Sequence, residues 1–391
     1  MEPERMPSVT DPVAHPQPHT ALETAFTPQA PVPEEAEYRG LRWVFIGRQG
    51  LRAGWSVALF LVLTIFFMGA LQTVALEIDG QVPGGDTRNL TPQAALIGEL
   101  TQFPAVLGAA AVLALLERRR ILDYHLAGPR RIVHFAGGLA AGFIALSALV
   151  AALAWGGWLY FGPAALAGPW ILGYAFLWGA VFLLTGFFEE GGFRCYLQFT
   201  LARGINFWWA LALVAAMCLA GLLANAGLGV RGVYLFALLG LVPCLLLHLK
   251  KKPGAGFWQA AWVTSTFFGL IHTGNRGENW IGIFVAALIG LVFCVSVRIT
   301  GSAWWAIGCH TAWDWALSYF FGAANSGMAA QGHLLTVRPA GTALWSGGSD
   351  GPEGSLLAVP IVVLLLAALV AIYRRRKPST PPAPGLERIA S

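Results

Sequence analysis

Long, nearly uncharged apolar runs are the feature of this sequence that most limits its fold. The runs 54–76, 132–155 and 355–373 each contain at most one ionisable side chain. A stretch of about 20 mostly apolar residues spans the hydrocarbon of a bilayer as a helix. Only 12% of the 391 residues are charged, whereas soluble globular domains have roughly 25%. The sequence therefore predicts an integral membrane protein.

The net charge of +5 comes from short basic clusters at the ends of apolar runs. These clusters are 118–120, 130–131, 250–252 and 374–377. Such a distribution is typical of the rule that places Lys and Arg in cytoplasmic loops. Nucleic-acid binding needs a continuous basic face, which this pattern does not supply. The predicted partners are membrane lipid and not nucleic acid.

The predicted fold is an all-α, polytopic transmembrane helix bundle of about ten spans, with both termini cytoplasmic. The spans are expected near 54–76, 92–116, 132–160, 171–200, 207–225, 232–249, 256–273, 279–298, 302–322 and 355–373. No strand-like alternation of a membrane barrel is evident. The acidic segment 77–88 and the Gly-rich loop 323–354 then lie outside.

The same pattern divides the chain into six regions. Residues 1–37 form a Pro- and Glu-rich, disordered cytoplasmic tail, and 38–53 mix basic and aromatic residues as an interfacial amphipathic segment. N-terminal transmembrane helices occupy 54–160, a polar-containing core 170–322, and an external loop 323–354. Residues 355–391 form a last transmembrane helix and a basic tail.

Ionisable residues inside apolar runs are the candidate functional groups, because each costs at least ~2.5 kcal/mol at the bilayer centre. The first set is Glu189, Glu190 and Arg194 in the span 171–200. Glu190 and Arg194 are four residues apart and should pair on one helix face. Glu189 is turned by about 100° from Glu190 and has no local cation. The following Gly191-Gly192 pair permits close approach of a helix or substrate, although a charged helix end at the interface would have the same composition.

The second and third sets are histidine motifs. His272 follows the apolar run 256–271 and precedes a Thr-Gly-Asn turn, so it lies near a helix end that can face a cavity. His310 and Asp314 are four residues apart on one helix face, where the carboxylate can orient the imidazole. A hydrogen bond that only holds two helices together would use the same pair. Glu99 is expected to face the bundle or an interface; the expected interfacial histidines are His125, His134 and His248.

Two Glu, two His and one Asp on three spans can converge in a helix bundle. Two chemistries are open to them. Glu189, His272 and His310 could bind a divalent metal such as zinc with an open position for water. Alternatively, Glu189 could activate water without a metal while His310 stabilises an oxyanion.

These motifs resemble the CPBP intramembrane protease family, also called the CAAX-protease or Abi family. The Glu-Glu-xxx-Arg motif reads Glu189-Glu190-xxx-Arg194, the Phe-xxx-His motif Phe268-xxx-His272, and the His-xxx-Asn/Asp motif His310-xxx-Asp314. The resemblance covers about 170–322.

The resemblance implies a role for each motif residue. It implies that Glu189 is the water-activating base, helped by His272, and that Glu190 and Arg194 shape the site. It also implies that His310 and Asp314 support the oxyanion. The third motif often ends in Asn, which can donate to an oxyanion; ionised Asp314 cannot, so it more readily orients His310 or assists a metal.

The expected function is intramembrane peptide-bond hydrolysis in a bacterial plasma membrane. The substrate would be a membrane-associated protein or peptide, lipidated or not. Two alternatives remain open: a non-catalytic membrane scaffold or immunity protein with the same core, and a proton-coupled transporter. The transporter reading expects broken helices in matching halves, which the sequence does not suggest.

Overall fold

The structure is a computed structural model that describes residues 44–47, 50–79, 89–223, 237–238, 240–251, 254–275 and 277–373. The chain divides into residues 1–46 and 47–391, and only the second unit is described at length. The predicted tail 1–37 and the basic end 374–391 lie outside the described residues. Most of the predicted interfacial segment 38–53 does too, and its described part contains the short strands β1 (Ile46–Gly47) and β2 (Gly50–Leu51).

Helices make up most of the described chain. In chain order they are α1 (Ala53–Asp79), α2 (Pro92–Leu116), α3 (Arg131–Trp155), α4 (Trp170–Ala202), α5 (Phe207–Leu223), α6 (Leu241–Leu249), α7 (Ala255–Ile271), α8 (Trp280–Thr300), α9 (Trp304–Trp315), α10 (Ala343–Ser346) and α11 (Ala358–Tyr373). α4 contains a π-helical turn, Gly191–Leu197, and α9 continues into a second one, Ala316–Phe320. The predicted all-α bundle is confirmed.

The described residues do not confirm the ten spans that the sequence predicts. Among the described residues, five helices are long and apolar enough to cross a membrane: α1, α2, α3, α4 and α8. α5 and α11 are shorter apolar helices. The third predicted span also ends early, because α3 stops at Trp155 and strand β4 (Leu159–Phe161) follows. The chain is a multi-pass membrane protein whose count of ten spans is not confirmed.

The predicted external loop 323–354, called the cap from here on, is folded. It contains β5 (Ala329–Ala330), β6 (Val337–Pro339), α10 and a 3₁₀ turn, Pro352–Gly354. β5 pairs in parallel with β3 (Asn89–Leu90), and β6 pairs antiparallel with β4. These pairings fix the cap to the segments that precede α2 and follow α3.

Glycines set the distance between α3 and α9. A Cβ at Gly138 or Gly142 would overlap the backbone of α9, and one at Gly308 would overlap the backbone of α3. Small residues permit such close helix approach in membranes, where packing drives association. α9 is therefore held against α3 on one side, which fixes the position of the histidine motif that it carries.

The largest buried apolar cluster joins α3, α8, α9 and α11. Its fully buried members include Leu146, Leu149, Val292, Cys309 and Val362. Neighbouring contacts in such cores are individually small but collectively strong. The packing of this cluster holds together the helices that surround the polar residues.

Candidate active site

α4 presents the first motif at the start of its π-helical turn. Arg194 Nε lies 3.2 Å from Glu190 Oε2, and both side chains are 0% exposed. Arg194 Nη1 also donates to Glu190 Oε1 over 3.3 Å. The predicted Glu190–Arg194 ion pair is confirmed, and it is fully buried rather than interfacial.

No described helix packs closely on the Gly191-Gly192 pair. Outside the pair's own helix backbone, no described atom lies within 4 Å of a Cβ built on Gly192, and the nearest to one on Gly191 is a methyl of Val106 at 3.9 Å. The two glycines begin the π turn, a feature that recurs at functional sites, and approach of a substrate to them stays a prediction. Close approach occurs one helical turn earlier, where a Cβ on Gly186 would lie 2.8 Å from the hydroxyl of Thr311 on α9.

Arg194 is enclosed by aromatic rings. Its guanidinium carbon lies 4.3 Å from the ring centre of Phe268, 5.4 Å from that of Phe293 and 5.6 Å from that of Phe193. A cation over an aromatic face is stabilised by the ring quadrupole. Phe268 of the second motif is therefore one of the aromatic rings that pack around Arg194 of the first motif.

His310 on α9 is surrounded by three carboxylates. Its Nδ1 lies 2.9 Å from Glu190 Oε1, and its Nε2 lies 3.4 Å from Asp314 Oδ2 and 3.7 Å from Glu189 Oε2. The predicted His310–Asp314 contact is confirmed. The contact with Glu190 was not predicted, and it directs Nε2 towards Glu189 and Asp314.

His272 follows directly after α7. Its Nδ1 donates to the carbonyl of Phe268 over 2.7 Å, which leaves Nε2 available to the space in front of the ring. The imidazole is partly buried and lines the same cavity as Glu189 and His310. The structure thus brings the residues of all three motifs together, with Arg194 and Glu190 behind the cavity wall.

The cavity has a volume of about 430 Å³. It runs from the motif residues to the cap, and its wall includes apolar side chains of α2, α4 and α8. Among its lining residues are Val181, Phe182, Val285, Ile289 and Phe293. A cavity of this size, lined by both apolar side chains and convergent polar groups, is typical of a small-molecule or peptide site.

The end of the cavity nearest the cap carries further carboxyl groups. Trp313 Nε1 donates to Glu353 Oε1 over 2.6 Å, and burial, with repulsion from Asp314 and Glu278, raises the pKa of Glu353 to about 8. Asp350 accepts from the backbone N–H of Asn279 over 3.1 Å. Burial and repulsion from Glu278 and Glu353 raise its pKa to about 9.

The cap acids were not predicted, because they lie in a Gly-rich segment with no periodic pattern to mark them. Of the three histidines expected at an interface, His125 is partly buried and its Nδ1 donates to the carbonyl of Arg194 over 2.8 Å. His134 is 7% exposed, and His248 is exposed. Their position relative to a membrane interface stays a prediction.

Glu99 was expected at the bundle or an interface, and the structure places it in the cavity wall. An isolated acid in an apolar span is itself a signal for a functional site.

A divalent metal on Glu189, His272 and His310 stays a prediction. Within the part of the chain that the structure describes, no group of three or more His, Cys, Asp or Glu is arranged to hold a metal ion. Glu189 Oε2 and His310 Nε2 lie 3.7 Å apart, in one cavity with His272. The reaction proposed below uses these residues without a metal.

These features define a class: a multi-pass helical membrane protein with a carboxylate–histidine site in a cavity among its helices. The family model of the type II CAAX prenyl endopeptidase Rce1-like proteins matches residues 244–316. The match supports the assignment of the chain to the CPBP, or CAAX-protease, family, and it points to a protease. No curated protein and no solved structure matches the chain.

The matched segment contains the second and third motifs. The first motif, with Glu189, Glu190 and Arg194, lies outside it. The place of these three residues in the site therefore depends on their contacts with His310 and Phe268.

Proposed function

We propose that this protein is an intramembrane endopeptidase that hydrolyses a peptide bond of a membrane-associated protein or peptide with a water activated by Glu189. The observation that supports it best is the approach of Glu189 to His310 Nε2 over 3.7 Å inside the cavity. A carboxylate and an imidazole in a cavity with room for water are a suitable base and donor for such a reaction.

Glu189 is the proposed base. Its Oε2 is buried and has no hydrogen-bond partner among the described residues, so it is free to accept a proton from a water. The resulting hydroxide attacks the carbonyl carbon of the substrate, and the carbonyl oxygen becomes an oxyanion. Glu189 then passes the proton to the leaving amine as the C–N bond breaks, which balances the reaction.

His310 is the proposed oxyanion donor. With protons on both ring nitrogens, it donates from Nδ1 to Glu190 and from Nε2 to the oxyanion. The adjacent carboxylates balance the charge of such a ring. Glu190 in turn is held by Arg194, so the ion pair acts as a positioning device for the imidazole.

His272 is the proposed partner of the water and of Glu189. Its ring is fixed by the bond to the carbonyl of Phe268, and its Nε2 can hold the water by a hydrogen bond. Fixing the attacking group in this way lowers the entropic part of the barrier.

The proposed location is the cell membrane, with both termini in the cytoplasm. The basic clusters 118–120 and 250–252 support this orientation. The cavity end beneath the cap then faces the outside.

The test is a comparison of protein termini in cells that express the wild type, Glu189→Gln or Glu77→Gln at equal levels. Glu77 is an exposed acid near the end of α1 and serves as the matched control. We expect new termini with the wild type and Glu77→Gln but not with Glu189→Gln. Identical termini in all three strains, with all three proteins folded, would contradict proteolysis and favour a scaffold.

A further inference from the structure

The loop between α2 and α3, residues 117–130, contacts both of the helices that carry the first and third motifs. The ring of Tyr124 is buried and lies edge-on to that of Phe199 on α4, with a centroid distance of 5.2 Å. Trp304 Nε1, at the start of α9, donates to the carbonyl of Leu126 over 2.9 Å. The loop is therefore packed against α4 and α9 together.

Within this loop, His125 forms one hydrogen bond towards each helix. Its ring Nδ1 donates to the carbonyl of Arg194, in the π turn of α4, over 2.8 Å. Because Nδ1 faces a carbonyl oxygen, it must carry a proton. The backbone carbonyl of His125 accepts from the N–H of Ala303, the residue before α9, over 2.8 Å. A residue outside the three motifs thus connects the helix of Glu190 to the helix of His310.

His125 is held in a backbone conformation that most residues avoid. Its φ of 56° lies in the left-handed region, which His, Asn and Asp enter more readily than other non-glycine residues. The partly buried ring lies edge-on to Phe199 with a centroid distance of 5.4 Å, and burial lowers the pKa of the imidazole. The neutral ring has one N–H, and that N–H is the one that binds the carbonyl of Arg194.

The carbonyl that His125 binds belongs to the residue that holds the ion pair of the site. A π turn departs from the regular hydrogen-bond pattern of an α-helix, so the backbone at Arg194 also depends on contacts from outside its own helix. The Arg194 side chain lies 3.2 Å from Glu190 Oε2, and Glu190 Oε1 lies 2.9 Å from His310 Nδ1. A movement of the π turn would therefore rotate the imidazole of His310.

We propose that His125 is a positioning residue for the reaction, and that its two hydrogen bonds hold α4 and α9 at the separation that keeps His310 aimed at the oxyanion. The inference rests on the proposed function and adds a residue outside the motifs to it. Hydrogen bonds are directional, whereas the apolar packing of Tyr124 that also anchors the loop is not. The bonds of His125 therefore set the alignment, and the packing of Tyr124 sets only the place of the loop.

Three substitutions separate the side-chain hydrogen bond from the backbone conformation and the packing. His125→Asn keeps a donor at the place of Nδ1 and tolerates a positive φ. His125→Asp has the same shape and tolerates the same φ, but an ionised carboxylate cannot donate. His125→Gly accepts the φ with neither a donor nor a charge, which excludes an effect of the new charge. His248→Asn and His248→Asp, at an exposed histidine, are the matched controls.

The full chain is reconstituted in phosphatidylcholine vesicles and assayed on a synthetic peptide copied from a bond that the wild type cleaves in the termini comparison above. Displacing a catalytic group by ~1 Å lowers a rate by up to about 10²-fold, so we expect His125→Asp and His125→Gly to lower kcat about tenfold or more. KM should stay within about twofold, because a contact made only in the transition state changes kcat and kcat/KM equally. His125→Asn should restore kcat to within about threefold, and both His248 variants should match the wild type.

The wild-type rate separates this inference from the proposed function. No cleavage by the wild type overturns the proposed function and the role of His125 with it. Wild-type kcat in folded His125→Asp or His125→Gly overturns this inference and leaves the protease intact, as does a change confined to KM. A folded His125→Asn that is as slow as His125→Gly removes the hydrogen bond as the cause. Failure of both donorless variants to fold makes His125 a structural residue, and either of these two results also overturns the inference.

Discussion

Replacing Glu190 by Gln should destabilise the protein strongly, although the change removes one charge and almost no volume. Both carboxylate oxygens of Glu190 are used: Oε2 faces Arg194 Nε at 3.2 Å, and Oε1 accepts from Arg194 Nη1 at 3.3 Å and contacts His310 Nδ1 at 2.9 Å. The side chains of Glu190 and Arg194 are both 0% exposed. The variant leaves Arg194 as a buried cation without its counter-ion.

The magnitude follows from that geometry. Breaking a buried ion pair by removing one partner costs roughly 3–5 kcal/mol. The amide oxygen of Gln can still accept one hydrogen bond, which returns about 1 kcal/mol. The aromatic rings around Arg194 are present in both proteins and do not change the difference. We therefore expect a loss of about 2–4 kcal/mol, out of a total of the order of 5–15 kcal/mol.

The assay is unfolding of the purified protein in detergent, followed by the fluorescence of its 16 Trp residues. Glu189→Gln is the control, since it is the same substitution at the adjacent position. The Glu189 side chain is 20% exposed and lies 3.7 Å from its nearest cation, so we expect a change below about 1 kcal/mol. Glu189→Gln should thus be stable and inactive, and Glu190→Gln unstable.

A second variant tests the cause. Arg194→Met combined with Glu190→Gln removes the stranded cation and leaves a side chain that packs well against aromatic rings. The double variant should be more stable than Glu190→Gln alone, because an uncompensated buried charge is the source of the cost. The reasoning is refuted if Glu190→Gln unfolds like the wild type, or if the double variant is the less stable of the two.

Three further predictions concern metal, the third motif and the cap. The peptidase activity of the purified protein should persist in the chelator 1,10-phenanthroline. A loss of activity that added zinc restores would instead show that the predicted ligands Glu189, His272 and His310 hold a metal needed for the reaction. Asp314→Asn should lower kcat less than Glu189→Gln does. The Asn amide can still contact the imidazole and can donate to an oxyanion, whereas Glu189→Gln removes a base worth roughly 10²–10⁴-fold in rate. Burial and repulsion from Glu278 raise the pKa of Asp350 to about 9, and burial raises that of Glu353 to about 8. Their protonated forms therefore stabilise the cap fully only below the ordinary pKa values of 3.8 and 4.5, and this stabilisation is lost as the pH rises from there to about 8–9. Backbone hydrogen exchange of 343–354, corrected for its intrinsic rate, should accelerate over that range and level off above it.

Local spacing in the sequence was sufficient for the contacts within one helix. The four-residue intervals Glu190–Arg194 and His310–Asp314 predicted pairs that the structure contains, because residues four apart share a helix face. Apolar run lengths likewise predicted a helical membrane bundle. These parts of the site depend only on the geometry of a single element.

Contacts between distant segments could not be predicted in the same way. His310 Nδ1 meets Glu190 across 120 positions of chain, and no periodicity encodes which helix faces which. The cap was expected as a loop because Gly-rich segments lack a hydrophobic pattern, yet its strands pair with β3 and β4. The count of ten spans was not confirmed for a related reason, since apolar segments of fewer than 18 residues can be buried in protein as well as in lipid.

The third motif links the proposed catalytic residues to the cap by direct contacts. On a single turn of α9, Asp314 contacts His310 Nε2 at 3.4 Å, while its neighbour Trp313 donates to Glu353 of the cap. Glu353 and Asp314 repel each other and line the same cavity. A change in the charge or position of the cap must therefore alter the field at the imidazole.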